Sequence, residues 1–196
     1  DVQEREVQGN KRKRLEDAKV VRKTPLASLE AHAGFVSCVA FHGAEDGTLY
    51  SGGADQSVRV WDLETGKNLQ NLGCDKPVLA LAHSPLSHLL ATGHTDATVR
   101  LWDPRAGATA LVQRRLVSHK GWVPSVCWSD KSAYALASGG YDGTVKVWDV
   151  RSSTPLHTLR AEGEKEGKVL GVCWEEGVLL SGGEEGKVRV HDVRDE

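Results

Sequence analysis

Short apolar runs separated by turn residues recur along the chain. "VSCVAF" (36–41), "VLALAH" (78–83), "VPSVCW" (123–128) and "VLGVCW" (169–174) each have the length and residue types of a buried strand. Each is followed by a small-residue segment of the "ASGG" kind, then by an alternating stretch such as "SVRVWD" (57–62) or "TVKVWD" (144–149). Alternation with period two predicts strands, because successive side chains point to opposite faces of a sheet. A further, outermost strand is predicted after each of these, at "LQNL" (69–72) and "LHTL" (156–159). "PLASL" (25–29) reads as such an outer strand whose own inner strands are missing. Gly52, Gly53, Gly139, Gly140, Gly182 and Gly183 fall where a strand must break into a tight loop or admit a close neighbour. The predicted fold class is all-β.

The strands belong to repeats. "LYSGGADQSVRVWD" (49–62), "LLATGHTDATVRLWD" (89–103), "ALASGGYDGTVKVWD" (135–149) and "LLSGGEEGKVRVHD" (179–192) share one frame. Their last ring residues, Trp61, Trp102, Trp148 and His191, are 41, 46 and 43 residues apart. An acid stands six residues earlier: Asp55, Asp96, Asp142 and, substituted, Glu185. A hydroxyl stands ten earlier, as Ser51, Thr92, Ser138 and Ser181. In two repeats a His lies 29 residues before the Trp, as His32 and His119. That period with a His…Trp-Asp frame marks the blades of a WD40 β-propeller. The expected layout is a charged linker at 1–24, then four repeats at about 25–66, 67–108, 109–154 and 155–196. WD40 rings usually close with more than four blades, so the set is incomplete.

Composition and charge narrow the function. The chain has 21 Gly and no Met and begins at Asp1, which reads as a piece of something larger. The net charge of −2 divides into +3 for residues 1–24 and −5 for the rest. The repeats are therefore not a broadly basic nucleic-acid binder. The basic run Lys11, Arg12, Lys13 and Arg14 is a candidate nuclear address or RNA contact; a solvated loop is the alternative, and the residues leave both open. No apolar run approaches the roughly 20 residues that span a bilayer, and no signal-peptide core is visible, so no membrane association is expected. Cys38, Cys74, Cys127 and Cys173 form no C-x-x-C pair, which favours neither zinc knuckle nor redox site and suggests a reducing compartment.

His119, Ser138 and Asp142 have the composition of a catalytic triad, but His32, Ser51 and Asp55 repeat it in another blade. A catalytic site needs one copy. A recurring set instead links the loop acid through His and hydroxyl to the Trp indole, satisfying buried polar groups. The second repeat lacks the His and should depend least on its acid. No catalytic residue, cofactor, metal or small-molecule substrate is expected. "GEKEGK" (163–168) lacks the spacing of a phosphate loop. His83, His88 and His94 match no zinc pattern and read as turn or solvent-facing residues. Phe35 and Trp122, three residues after a blade His, and Tyr141, just before a loop Asp, should ring the channel mouth. They are candidate partner-binding residues, with simple channel cover as the alternative.

The strings "KTPLASLEAHAGFVSCVAF", "SPLSHLLATGHTDATVRLWDPRAG", "LVSHKGWVPSVCWS", "VKVWDVRS" and "GKVLGVCWEEGVLLSGG" closely resemble the C-terminal half of one family, over about residues 23–193. This is the WD-repeat subunit of the PeBoW-type ribosome-biogenesis complex, partner of pescadillo and the block-of-proliferation protein. The resemblance implies a seven-bladed propeller docking on that protein's propeller in pre-60S particles of the nucleolus and nucleoplasm. It implies a non-catalytic scaffold in large-subunit assembly and pre-rRNA processing. The family's N-terminal ubiquitin-like domain and first three blades have no counterpart in the sequence. A rival reading, substrate adaptor of a cullin-type ubiquitin ligase, rests on Trp102-Asp103-Pro104-Arg105 and Trp148-Asp149-Val150-Arg151.

Overall fold

The computed structural model describes residues 25–42, 47–109, 114–160 and 167–193. Residues 1–24, with Lys11, Arg12, Lys13 and Arg14, and most of "GEKEGK" lie outside the described residues. Four antiparallel sheets follow one another along the chain. The first holds β1 (Val36–Phe41), β2 (Thr48–Gly53), β3 (Ser57–Asp62) and β4 (Lys67–Gly73) in sequence order. The second holds β5 (Val78–His83), β6 (Leu90–His94), β7 (Thr98–Trp102) and β8 (Arg114–Val117). The third holds β9 (Ser125–Trp128), β10 (Ala135–Gly139), β11 (Thr144–Asp149) and β12 (Pro155–Arg160). The fourth holds β13 (Val169–Glu175), β14 (Val178–Gly183) and β15 (Val188–Asp192). Each sheet is one blade, and the strand after each Trp-Asp completes it as predicted. "PLASL" (25–29) forms no strand and pairs with none of the described strands.

Three apolar cores lie between the blades, one per junction. Tyr50, Val58 and Leu72 of the first blade meet Val78, Leu81, Leu90 and Trp102 of the second. Val99, Leu101 and Leu116 meet Val126, Trp128, Leu136 and Trp148 at the next junction. Ala137, Val145 and Val147 meet Val169 and Leu179 at the last. A sheet clamped on both faces buries both sets of side chains, so even the polar members of the alternating stretches, Arg100 and Lys146, are buried. The outermost faces have no such cover: Phe41 is 66% and Val188 75% exposed.

A valine and a glycine set the spacing between blades. The first residue of each incoming inner segment, Val78, Val123 or Val169, lies over Gly52, Gly93 or Gly139 of the blade before it. A β-carbon on Gly52 would stand 2.6 Å from Val78 Cγ1, and one on Gly139 2.6 Å from Val169 Cγ1. None of these three glycines has a positive φ, so close approach and not backbone freedom is what requires them. Gly182 at the same register meets nothing closer than 3.8 Å, since no described blade follows it. The valines are buried; their counterpart Val36 in the first blade is half exposed.

Candidate functional site

The polar sites are built where the loop acid returns toward the start of its blade. In the first blade the Trp61 indole N–H donates to Ser51 Oγ at 2.8 Å. Ser51 Oγ lies 2.7 Å from His32 Nε2, and His32 Nδ1 lies 2.9 Å from Asp55 Oδ2. Asp55 also accepts from the Ala33 amide and the Ser57 hydroxyl. The third blade repeats this with Trp148 to Ser138 at 2.8 Å, Ser138 to His119 Nε2 at 2.8 Å, and His119 Nδ1 to Asp142 at 3.1 Å. The chain of donors assigns one tautomer: Nδ1–H donates to the carboxylate, and Nε2 accepts from the hydroxyl. Burial lowers the His119 pKa despite the Asp142 charge, so the ring stays neutral. Ser138 and the His119 ring are sealed from solvent, and the hydroxyl already serves the indole. No substrate reaches that oxygen.

The second blade solves the same problem differently. Trp102 N–H donates to Thr92 Oγ1 at 2.8 Å, and Thr92 Oγ1 is 2.8 Å from Nε2 of His94, two residues along the same strand. His94 Nδ1 is 3.2 Å from the Lys76 carbonyl oxygen. His94 is thus fully buried and supplies the missing His, correcting the turn or solvent-facing expectation. Its Nδ1 partner is a neutral carbonyl, which releases the acid. Asp96 pairs instead with Arg100, whose Nη2 donates to Oδ2 at 2.7 Å and Nη1 to Oδ1 at 3.2 Å. In the fourth blade His191 takes the place of Trp: its Nε2 lies 2.9 Å from Ser181 Oγ, and Glu185 accepts from the Gly167 amide and Arg189. A base four residues after the acid recurs in every repeat, as Arg59, Arg100, Lys146 and Arg189. That signal was legible in the sequence and marks the second blade's ion pair.

These networks make stability pH-dependent. Burial would raise the Asp55 carboxyl, but Ser57, the Ala33 amide and His32 outweigh it and bring it down to about 2. Burial likewise opposes Arg100 and Thr98 at Asp96, which also falls to about 2. Burial, with the Arg100 charge, lowers His94 to about 4. All three values lie below those of the unfolded chain, so each contribution is complete above the unfolded pKa and is lost as pH falls. The His94 contribution, roughly 3 kcal/mol, should disappear between about pH 6.5 and 4; those of the carboxylates follow from about pH 4 to 2. Urea midpoints measured across this range should show two descending steps, with the upper one shallower in His94→Gln. An unchanged upper slope in that variant would remove His94 from the linkage.

In the third blade Trp122 and Tyr141 stack, with ring centroids 5.6 Å apart and planes at 22°. The Tyr141 amide donates to the Trp122 carbonyl at 2.8 Å, which fixes the two loops together. Lys168 of the next blade places Nζ 5.4 Å above the Tyr141 ring. Trp122 remains 49% and Tyr141 37% exposed. Phe35 occupies the Trp122 register two blades away and is exposed, but it has no part in the stack. Arg105 and Arg151, the basis of the adaptor reading, fork onto Asp103 and Asp149 of their own Trp-Asp-x-Arg turns at 2.8 and 2.6 Å. The phrase thus has a local structural use. The four cysteines are unpaired, and burial drives Cys74 and Cys127 up to about 12, away from thiolate chemistry.

With this geometry in place, comparison with known proteins is informative. The sequence model of nucleolar protein 10-like proteins, N-terminal domain, a β-propeller, matches residues 33–166, which take in the first three blades. The chain belongs to this family. Among the relatives of this chain, "Ribosome biogenesis protein WDR12 homolog" of Nematostella vectensis is 41% identical over 116 residues, 59% of this chain and 27% of that protein. "Ribosome biogenesis protein YTM1" of Vanderwaltozyma polyspora is 36% identical over 121 residues, 61% of this chain and 27% of that protein. The propeller thus spans about a quarter of the length of the curated relatives it matches. They bear out the resemblance to a ribosome-biogenesis WD-repeat subunit, over a shorter stretch than residues 23–193. The solved "Structure of U3-55K" superimposes with a TM-score of 0.75 at 22% identity, covering 84% of this chain and 51% of that one; it shares the fold.

Proposed function

We propose that this propeller segment is a non-catalytic scaffold in assembly of the large ribosomal subunit and pre-rRNA processing, acting in the nucleolus and nucleoplasm. The observation that carries the reading is the shared name of its relatives, ribosome biogenesis protein, in an animal and a yeast. The His–Ser–Asp sets give no opening for catalysis, since each serine or threonine is buried and holds a tryptophan indole. The partners are a block-of-proliferation-type propeller protein and pescadillo, within pre-60S particles. The stacked Trp122–Tyr141 pair, a rigid and half-exposed aromatic surface beside Lys168, is the docking point on this chain. Phe35 belongs to the same rim. Lys11, Arg12, Lys13 and Arg14 supply the nuclear address or a salt-sensitive RNA contact.

Trp122→Ala in the complete protein should weaken association with the purified block-of-proliferation propeller by at least about tenfold, the scale of a truncated aromatic anchor. Its thermal midpoint should barely move, because Trp122 lies outside the three buried cores. Undiminished binding by both Trp122→Ala and Tyr141→Ala would assign the interface to another surface. Normal pre-rRNA processing after depletion of the protein would overturn the scaffold reading itself.

A further inference from the structure

Trp122 precedes the first strand of its blade; at the far ends of the corresponding strands in the first two blades, three histidines converge. His42 follows the last residue of β1, His83 ends β5, and His88 lies in the turn to β6. One ring nitrogen from each falls within 4.8 Å of the other two. The ring centroids are 4.3 Å apart for His42 and His83, 5.7 Å for His42 and His88, and 6.2 Å for His83 and His88. His88 is held in a left-handed conformation, φ 59°, by the hydrogen bond from its amide to the Ser84 carbonyl. That turn folds the chain back so that His88 and His83 share one side.

We propose that His42, His83 and His88 form a binding site for a borderline divalent transition ion, with zinc as the expected occupant. Three imidazoles are a ligand set that suits zinc, cobalt, nickel and copper, and excludes the hard ions calcium and magnesium. In a four-coordinate zinc site with Zn–N near 2.0–2.1 Å, neighbouring nitrogens stand about 3.3 Å apart. The three nitrogens therefore need to close by at most about 1.5 Å, within reach of side-chain rotation for one exposed and two half-buried rings. The support around them is already in place. His42 Nδ1 lies 2.6 Å from the buried Tyr50 hydroxyl, so an N–H there would donate to Tyr50 while Nε2 turns to the ion. A hydrogen bond on the distal nitrogen is the usual device that orients a metal-bound histidine. The Tyr50 ring also stacks on His83, centroids 5.5 Å apart, which fixes a second ligand. The fourth coordination position is left to water or to a partner's side chain. Because His42 belongs to the first blade and the other two to the second, the ion would tie the two blades together.

Calorimetric titration of zinc chloride into the chelator-stripped full chain tests this, with cobalt(II) absorption as the reporter of coordination. The expected result is one saturable equivalent, a visible cobalt band characteristic of four-coordinate nitrogen ligation, and a rise in thermal midpoint on adding zinc. His88→Asn should weaken zinc binding at least about tenfold while leaving the metal-free midpoint unchanged, since Asn also accepts the left-handed backbone. Tyr50→Phe should weaken binding by about tenfold through loss of the orienting hydroxyl. His157→Ala, on the exposed outer strand β12, should leave binding as it was. Absence of saturable binding, or equal binding by the parent chain, His83→Gln and His88→Asn, would overturn the proposal.

Discussion

Asp96→Ala is expected to destabilise the propeller more than Asp142→Ala does, by about 3 kcal/mol or more against about 1–3 kcal/mol. The sequence frame alone gives the reverse order, because the second repeat has no His at the position of His32 and His119. The geometry inverts it. Asp142 anchors an imidazole and accepts from the Lys120 amide and the Thr144 hydroxyl, so its loss orphans neutral donors, with Thr144 Oγ1 3.3 Å from His119 Nδ1 as a substitute partner. Asp96 is the countercharge of Arg100, whose side chain is 1% exposed and whose Nε has no partner of its own. Removing the carboxylate therefore leaves a buried guanidinium with only the Thr98 hydroxyl to donate to. A buried ion stripped of its partner costs far more than a neutral group in the same position. Urea denaturation of both variants gives the order directly. Asp96→Ala/Arg100→Met should recover most of the loss, because an apolar pair in place of a buried ion pair is close to neutral. Equal midpoints for Asp96→Ala and Asp142→Ala, or no recovery in the double variant, would show that the guanidinium reaches water through the partly exposed loop.

What could be read from the sequence was what repeats at fixed spacing. The strands, the blade count and the hydroxyl–indole bonds all follow from residues whose separations recur, so one blade calibrates the next. His94 escaped that logic because it reaches Thr92 from two residues away on its own strand, not from 29 residues before the Trp. The buried hydroxyl can be served by a His from either place, and a fixed 29-residue spacing marks only one of the two. His42 escaped for another reason. Its neighbours His83 and His88 lie 41 and 46 residues later, and only the stacking of consecutive blades brings the three together. The aromatic positions Trp122 and Tyr141 were legible individually; their stack depends on the Trp122 carbonyl accepting from Tyr141, a contact between two loops. "PLASL" shows the limit in the other direction. Its residues favour a strand, but a strand is a set of hydrogen bonds to a neighbour, and none of the described strands pairs with it.

Gly93→Ala should be the most damaging of the small-to-larger changes at the blade junctions, with a loss of about 3 kcal/mol, the upper end of what overpacking usually costs. A β-carbon there would lie 2.4 Å from the Val123 carbonyl oxygen and 3.0 Å from its Cγ1. The backbone of Val123 cannot retreat cheaply, because its amide donates to the His94 carbonyl at 3.1 Å and its side chain fills the core between the second and third blades. Relief requires breaking that hydrogen bond and parting the blades. Gly139→Ala presents a milder case at the same register, since there the three atoms nearest the β-carbon are all side-chain carbons of Val169 and Val172. The two sites should therefore respond differently to a second change. Val169→Ala should restore part of the stability lost in Gly139→Ala, because it removes the obstructing methyls. Val123→Ala should fail to rescue Gly93→Ala, because the carbonyl remains. Gly73→Ala, with nothing within 4 Å of the added carbon, serves as the near-neutral control. Urea midpoints of these five variants decide the matter: rescue of Gly93→Ala by Val123→Ala would mean that side-chain packing, not backbone contact, sets the distance between blades.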